Sequence, residues 1–285
     1  MAESEADTPN TPSELLENRY FEFQNVRLPP FCRGAMDEIC EFPVRRDDVW
    51  LVTYPKSGTS LLQEVVYVVS RGAEADESAL INIDDFVPVL EYPQPGIDAI
   101  KEMPSPRIIK SHLPYQFLPQ DLHAGKARVI YMARNPKDLV VSYYQFHRSL
   151  RSMSYRGTFQ EFCRRFIYDK LGYGSWFGHV QAFWSHRKGD NILFLKYEDL
   201  HKDLSGALRN LVAFLGVKYN KEQMDGLHGF CQQLIDQRCN TDALPIGRGR
   251  IGLWKDIFTV SMNERFDSVY KQKMGKCDIN FDFQA

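Results

Sequence analysis

Thr53-Tyr54-Pro55-Lys56-Ser57-Gly58-Thr59-Ser60 decides the fold of this chain, because of what flanks it. Asp48-Val49-Trp50-Leu51-Val52 precedes it and reads as a buried strand. Leu61-Leu62-Gln63-Glu64-Val65-Val66-Tyr67 follows and reads as an amphipathic helix. A strand, a tight turn and a helix N-terminus make an anion cradle. The first helical N–H groups have no partner, and the helix dipole adds partial positive charge. Lys56 brings a full charge, and Ser57, Thr59 and Ser60 bring hydroxyls. Gly58 allows close backbone approach to a phosphate. The order of residues is not that of a Walker A loop, since Lys56 precedes Gly58.

Working outward, short apolar strands alternate with longer helical stretches. Strands are expected at 48–53, 106–110, 127–133 and 191–196. Helices are expected at 60–71, 136–150, 158–169, 173–188, 204–215 and 220–229. That alternation predicts an α/β fold, a central parallel sheet with helices on both faces. The glycines and Pro245 make 231–253 read as a loop. No internal repeat is visible.

Two further strand ends carry chemistry. Lys110-Ser111-His112-Leu113-Pro114 follows the second strand, at the edge where open α/β sheets bind ligands. His112 is a candidate general base, and Lys110 a candidate cation for developing negative charge. Ala133-Arg134-Asn135-Pro136-Lys137-Asp138 follows the third strand. Arg134 is a natural phosphate clamp, with Ser142 two helical turns on.

Composition bounds the rest. The 285 residues are 44% hydrophobic and 25% charged, with net charge −2. A soluble globular protein is expected, not a nucleic-acid binder, which would be basic. No apolar run approaches the roughly 20 residues that span a bilayer. The six cysteines (32, 40, 163, 231, 239, 277) lack Cys-x-x-Cys spacing, and reduced thiols in a cytoplasmic protein are the expectation. Residues 1–18 read as a disordered acidic tail before a domain at 19–285. The tail has no apolar core of a signal peptide. Its Thr8-Pro9 and Thr11-Pro12 are candidate proline-directed phosphorylation sites. A phospho-Thr-Pro reader such as a prolyl isomerase would be the matching partner.

These motifs together resemble the cytosolic sulfotransferases, which use 3′-phosphoadenosine 5′-phosphosulfate (PAPS). The Tyr-Pro-Lys-Ser-Gly-Thr loop, the Lys-x-His-Leu-Pro turn and the Ala-Arg-Asn-x-Lys-Asp…Ser-Tyr-Tyr segment occur in order. Tyr173-Gly174-Ser175-Trp176, Tyr197-Glu198-Asp199 and Trp254-Lys255 follow. The resemblance covers nearly everything after residue 20 and is nearest to the divergent fourth, brain-type branch of that family. It implies that Lys56, Ser57, Gly58, Thr59 and Ser60 bind the 5′-phosphosulfate, and Arg134 and Ser142 the 3′-phosphate. It places Tyr197 near the adenine, Arg248 and Gly249 in the C-terminal phosphate element, and Phe146 in the acceptor pocket. It makes His112 the base acting on a small hydroxyl-bearing acceptor, with Lys56 and Lys110 neutralising charge and no metal. It also implies a homodimer through Lys255, Thr259, Val260 and Glu264.

Departures from the pattern matter equally. Leu61 stands where the family has a tryptophan that stacks on adenine. Gly247 stands for an arginine, with Arg250 as a nearby substitute. His228-Gly229-Phe230 lacks hydroxyls, and the segment from Phe230 to Gly249 is short. Pro88-Val89-Leu90 replaces a typical phenylalanine of the acceptor wall. The losses fall on the nucleotide, so PAPS is expected to bind weakly and turnover to be low or absent. Two readings stay open: an active sulfotransferase with an unusual acceptor, or a silent sulfotransferase fold acting through protein partners. A nucleotide kinase is disfavoured by the missing Walker A loop.

Overall fold

A computed structural model describes residues 20–72, 80–150, 155–239 and 249–284. A two-stranded antiparallel hairpin opens it, β1 (Phe21–Phe23) against β2 (Val26–Leu28). The four-stranded parallel sheet comprises β3 (Val49–Thr53), β4 (Ile108–Ser111), β5 (Arg128–Ala133) and β6 (Ile192–Lys196), in the order β4-β3-β5-β6. Seven helices frame the argument: α1 (Thr59–Arg71), α2 (Pro136–Ser149), α3 (Phe159–Ile167), α4 (Trp176–His186), α5 (Leu204–Leu215), α6 (Lys221–Cys239) and α7 (Val260–Met274).

The sheet is buried on both faces, as continuous apolar strands require. Side chains alternate along β3. Trp50 and Val52 join one core with Leu139 of α2, Phe183 of α4 and Phe266 of α7. Val49 and Leu51 join the other with Leu62 of α1, Leu208 of α5 and Ile235 of α6. At the opposite edge from the candidate site, Arg107 makes a buried bidentate pair with Asp48, at 2.9 and 2.6 Å.

The four expected strands and the layered α/β architecture are present. Other expectations need correction. The stretch 231–253 is not one loop: α6 continues to Cys239. Gly226 and Gly229 lie inside it, where each mid-helix glycine costs about 1 kcal/mol relative to alanine. The apolar face of Leu227, Cys231 and Ile235 repeats at four-residue spacing across both and packs on the second core. The helix expected from 173 starts at Trp176, capped by Ser175, because Tyr173 and Gly174 have positive φ. The hairpin was not expected. Its turn residues Gln24 and Asn25 both sit in the left-handed region. Helix α7 was also unexpected: it buries Phe266, Val269 and Met274 along an otherwise polar sequence. Residues 1–19, including Thr8 and Thr11, lie outside the described residues, as do Gly247 and Arg248.

Candidate active site

The C-terminal ends of all four parallel strands converge on one cleft of about 710 Å³. After β3 the chain turns through Lys56, at φ +70°, and Gly58, at φ +94°, into α1. Only glycine fits the second position. A Cβ there would lie 2.5 Å from Cδ2 of Tyr197, which follows β6. The Ser57 hydroxyl is buried and has no hydrogen-bond partner among the described residues. A buried hydroxyl left unsatisfied at the N-terminus of a 13-residue helix is what an anion would complete. Thr59 lines the cleft, but its hydroxyl already bonds that of Thr53 at 2.7 Å. Ser60 lines the cleft as well.

His112 follows β4 and is held from three directions. Its backbone N–H donates to Glu91 Oε1 at 2.8 Å. Its carbonyl accepts from His179 Nε2 at 3.1 Å, and Tyr131 completes that chain by donating to His179 Nδ1 at 2.8 Å. Its ring Nδ1 lies 2.9 Å from the Thr53 carbonyl, which can only accept. Nδ1 therefore carries the proton, and Nε2 carries the lone pair. Burial, with help from the charges of Lys110 and Lys56, pushes the ring's pKa down to about 4. His112 is thus a neutral base at physiological pH, in the tautomer that a proton acceptor needs.

Around it, Lys56 Nζ sits 4.7 Å from the centroid of the Phe146 ring, and both residues line the cleft. Lys110 is nearly buried and engaged. Its Nζ donates to Gln63 Oε1 and to Asp84 Oδ1, both at 2.5 Å. Tyr20, Phe31, Tyr92, Tyr143 and Leu150 make this end of the cleft aromatic and apolar. Pro88 and Val89 line it too, so the departure noted in the sequence falls on the cavity wall.

Arg134 follows β5 and lies 4.6 Å above the Tyr197 ring. It donates to the carbonyls of Lys56 at 3.5 Å and Arg250 at 3.3 Å. Ser142, one face along α2, also lines the cleft. Tyr197 donates to the Gly249 carbonyl at 2.8 Å, which fixes the C-terminal element against the strand ends. Asp138 ties the same element to α2 by accepting from the N–H groups of Gly252 and Trp254. Asn135 caps α2, and buried Glu198 holds Asn135 by accepting from its N–H at 2.7 Å. Burial raises the carboxyls of Glu91 and Glu198 to about 7.

Leu61 is buried and lines the cleft, so its departure bears on the site. That of Gly229 does not: a Cβ there would meet nothing within 4 Å, and residues 228–230 are absent from the cleft lining. Arg250 pairs with Asp256 instead of entering the cleft. Sequence reasoning missed Glu91, His179 and Arg238. The first follows Leu90 without any strand pattern, the second sits mid-helix, and the third sits in the stretch read as loop. None of the dimer candidates lines the cleft. Thr259 caps α7, and Val260 is 77% exposed. Among the described residues no cluster of three or more His, Cys, Asp or Glu could hold a metal ion. No helix there is long and apolar enough to cross a membrane.

An unsatisfied helix N-terminal hydroxyl and an oriented imidazole share one cleft at the C-terminal edge of a parallel sheet, an arrangement suited to group transfer from an anionic ligand. Comparison with known proteins makes the class specific. The chain matches the sulfotransferase domain family over residues 46–278. It is 72% identical to human sulfotransferase 4A1 across 99% of both chains. It is 36% identical to rat sulfotransferase 1C2, covering 86% of this chain and 88% of that one. The crystal structure of mouse sulfotransferase SULT7A1 complexed with PAP is similar at a TM-score of 0.75 and 27% identity. That match covers 91% of this chain and 95% of that one. The chain belongs to the sulfotransferase family, and the branch read from its motifs agrees with these relatives.

Proposed function

We propose that the protein is an atypical PAPS-dependent sulfotransferase, with weak nucleotide binding and low turnover. The observation that carries this reading is His112, a neutral imidazole with its Nε2 lone pair, lining the same partly aromatic cavity as Lys56. The residues fit the cofactor: buried Ser57 Oγ has no partner among the described residues, and Gly58 lets the turn pack directly on the Tyr197 ring. Lys56, Ser57, Gly58, Thr59 and Ser60 would hold the 5′ end of the nucleotide. Arg134 and Ser142 would hold its 3′-phosphate, with Tyr197, Arg248 and Gly249 beside them. Bound PAPS would supply the sulfuryl group.

The chain's own part is then definable. His112 Nε2 takes the proton of an acceptor hydroxyl, and Nδ1–H on Thr53 keeps the ring aimed. Lys56 presents positive charge at the end of the cradle, with Phe146 against the acceptor. Lys110 acts in the same way only once it leaves Asp84. The apolar wall suits a small hydroxyl-bearing acceptor and excludes water from it. Leu61 supports weak binding: a base–aromatic stack is worth about 1–3 kcal/mol, roughly a 5- to 150-fold change in affinity.

The second reading is a silent sulfotransferase fold acting through protein partners, and the engagement of Lys110 by Asp84 favours it. Assaying sulfuryl transfer from PAPS to a panel of phenols and alcohols separates the two. Transfer that is abolished in His112→Ala supports the first, and no transfer to any acceptor at saturating PAPS supports the second. A homodimer through Lys255, Thr259, Val260 and Glu264 belongs to the same proposal, supported by the exposed Val260. So do a cytoplasmic location and an acidic tail preceding the domain. Phosphorylation of Thr8 and Thr11, read by a prolyl isomerase, is the tail's proposed role. Mass spectrometry that finds neither threonine modified in cells would end it.

A further inference from the structure

Arg238 reaches the cleft from the last turn of α6. Its Nη2 donates to the Ser60 carbonyl at 3.5 Å and to Glu64 Oε1, so it ties α6 to the opening turns of α1. The pair is only partly satisfied. Arg238 Nε and Glu64 Oε2 are both buried without a hydrogen-bond partner among the described residues. The helix end also abuts the phosphate-handling side of the site. A Cβ on Gly249 would lie 2.8 Å from the Arg238 carbonyl and 3.0 Å from the Tyr197 hydroxyl. Arg134 stacks on that same tyrosine.

We infer that Arg238 is a nucleotide-contacting residue held in reserve by Glu64, so that binding requires it to exchange a carboxylate for the ligand's phosphate. The guanidinium fork suits a phosphate oxygen as well as a carboxylate, and Nε is the donor that the exchange would satisfy. The exchange has an opposing term. Releasing Arg238 leaves the Glu64 charge largely buried and unpaired, which is unfavourable. Arg238 and Glu64 should therefore act on nucleotide affinity with opposite signs.

This inference rests on the nucleotide reading of the cleft. The experiment is calorimetry with 3′-phosphoadenosine 5′-phosphate on the full chain. Arg238→Ala should weaken binding about tenfold or more, as expected for losing a charge-assisted contact, and flatten its salt dependence. Glu64→Gln should tighten binding several-fold, and that gain should vanish in the Arg238→Ala background. A pair that merely braces two helices predicts that both single variants weaken binding alike. That result, or an unchanged affinity in Arg238→Ala, overturns the inference and leaves the nucleotide reading standing. No binding by wild type or by Glu64→Gln overturns both. Thermal melts report whether each variant folds. Arg238→Gln, which keeps length and polarity, replaces the alanine variant if that one does not, with the same expected sign.

Discussion

The two ends of the cleft are satisfied to different degrees. At the β4 end, His112 is fixed through its N–H, its carbonyl and its ring nitrogen, by Glu91, His179 and Thr53. At the α1–α6 end, Ser57, Glu64 and Arg238 each keep a buried polar atom without a partner among the described residues. The base is pre-organised before any ligand arrives. On the proposed reading, the α1–α6 end would complete its hydrogen bonds by taking a ligand or by exchanging an ion pair. On that reading, such a protein would keep its base ready while a few side chains around α1 set its nucleotide affinity.

The largest effect should come from the ordered end. His112→Ala is expected to lower any sulfuryl transfer by about 10²- to 10⁴-fold, the range for loss of a general base. Calorimetry should find nucleotide affinity unchanged, because the role proposed for the ring lies at the acceptor. Since burial holds His112 at about 4, the wild-type rate should show no histidine limb between pH 5 and 8. A rate that rises with a midpoint near 6.5 would mean that the base is solvated.

Glu91 tests the scaffold behind the base. Burial raises its carboxyl from 4.5 to about 7, so the folded chain retains a proton that the unfolded chain releases. Its contribution to stability is full below pH 4.5 and is lost as pH rises through 7. The loss is on the order of 3 kcal/mol. In Glu91→Gln that loss is absent. Its melting temperature should gain on wild type between pH 5 and 8, and a constant offset across that range would count against the raised pKa.

Gly58→Ala probes the cradle. The αL backbone costs a side chain about 1–2 kcal/mol, and the Cβ also meets Tyr197. Melting temperature should fall by several degrees and nucleotide binding should disappear. Retained affinity would remove this turn from the site. The smallest effect is expected outside the cleft. Val260→Glu should convert a dimer to a monomer in sedimentation while leaving stability within about 0.5 kcal/mol, as for an exposed position. A wild-type monomer would contradict the interface.

The sequence made the strand ends legible for a physical reason. Parallel strands buried on both faces are continuous apolar runs, and polar residues right after them stand out. Lys56, His112 and Arg134 stand out in this way, whereas Tyr197 was named only through the family resemblance. What stayed hidden lacks such a signal. Glu91 acts on His112 across 21 residues of chain. The glycines and Pro245 made 231–253 read as a loop, which concealed the last turns of helix α6 and Arg238 as a cleft residue. Helix α7 buries a few side chains in a polar sequence, so its periodicity is weak.

The most direct test of an intact base beside a weakened nucleotide end is calorimetric titration of wild type and Leu61→Trp with 3′-phosphoadenosine 5′-phosphate. Leu61 lies buried in the cleft wall on α1, so an indole there is placed to restore a stacking surface. Measurable but weak wild-type binding that tightens roughly 5- to 150-fold in the variant is the expected result. Equal affinities in the two proteins, or no binding by either, would contradict it.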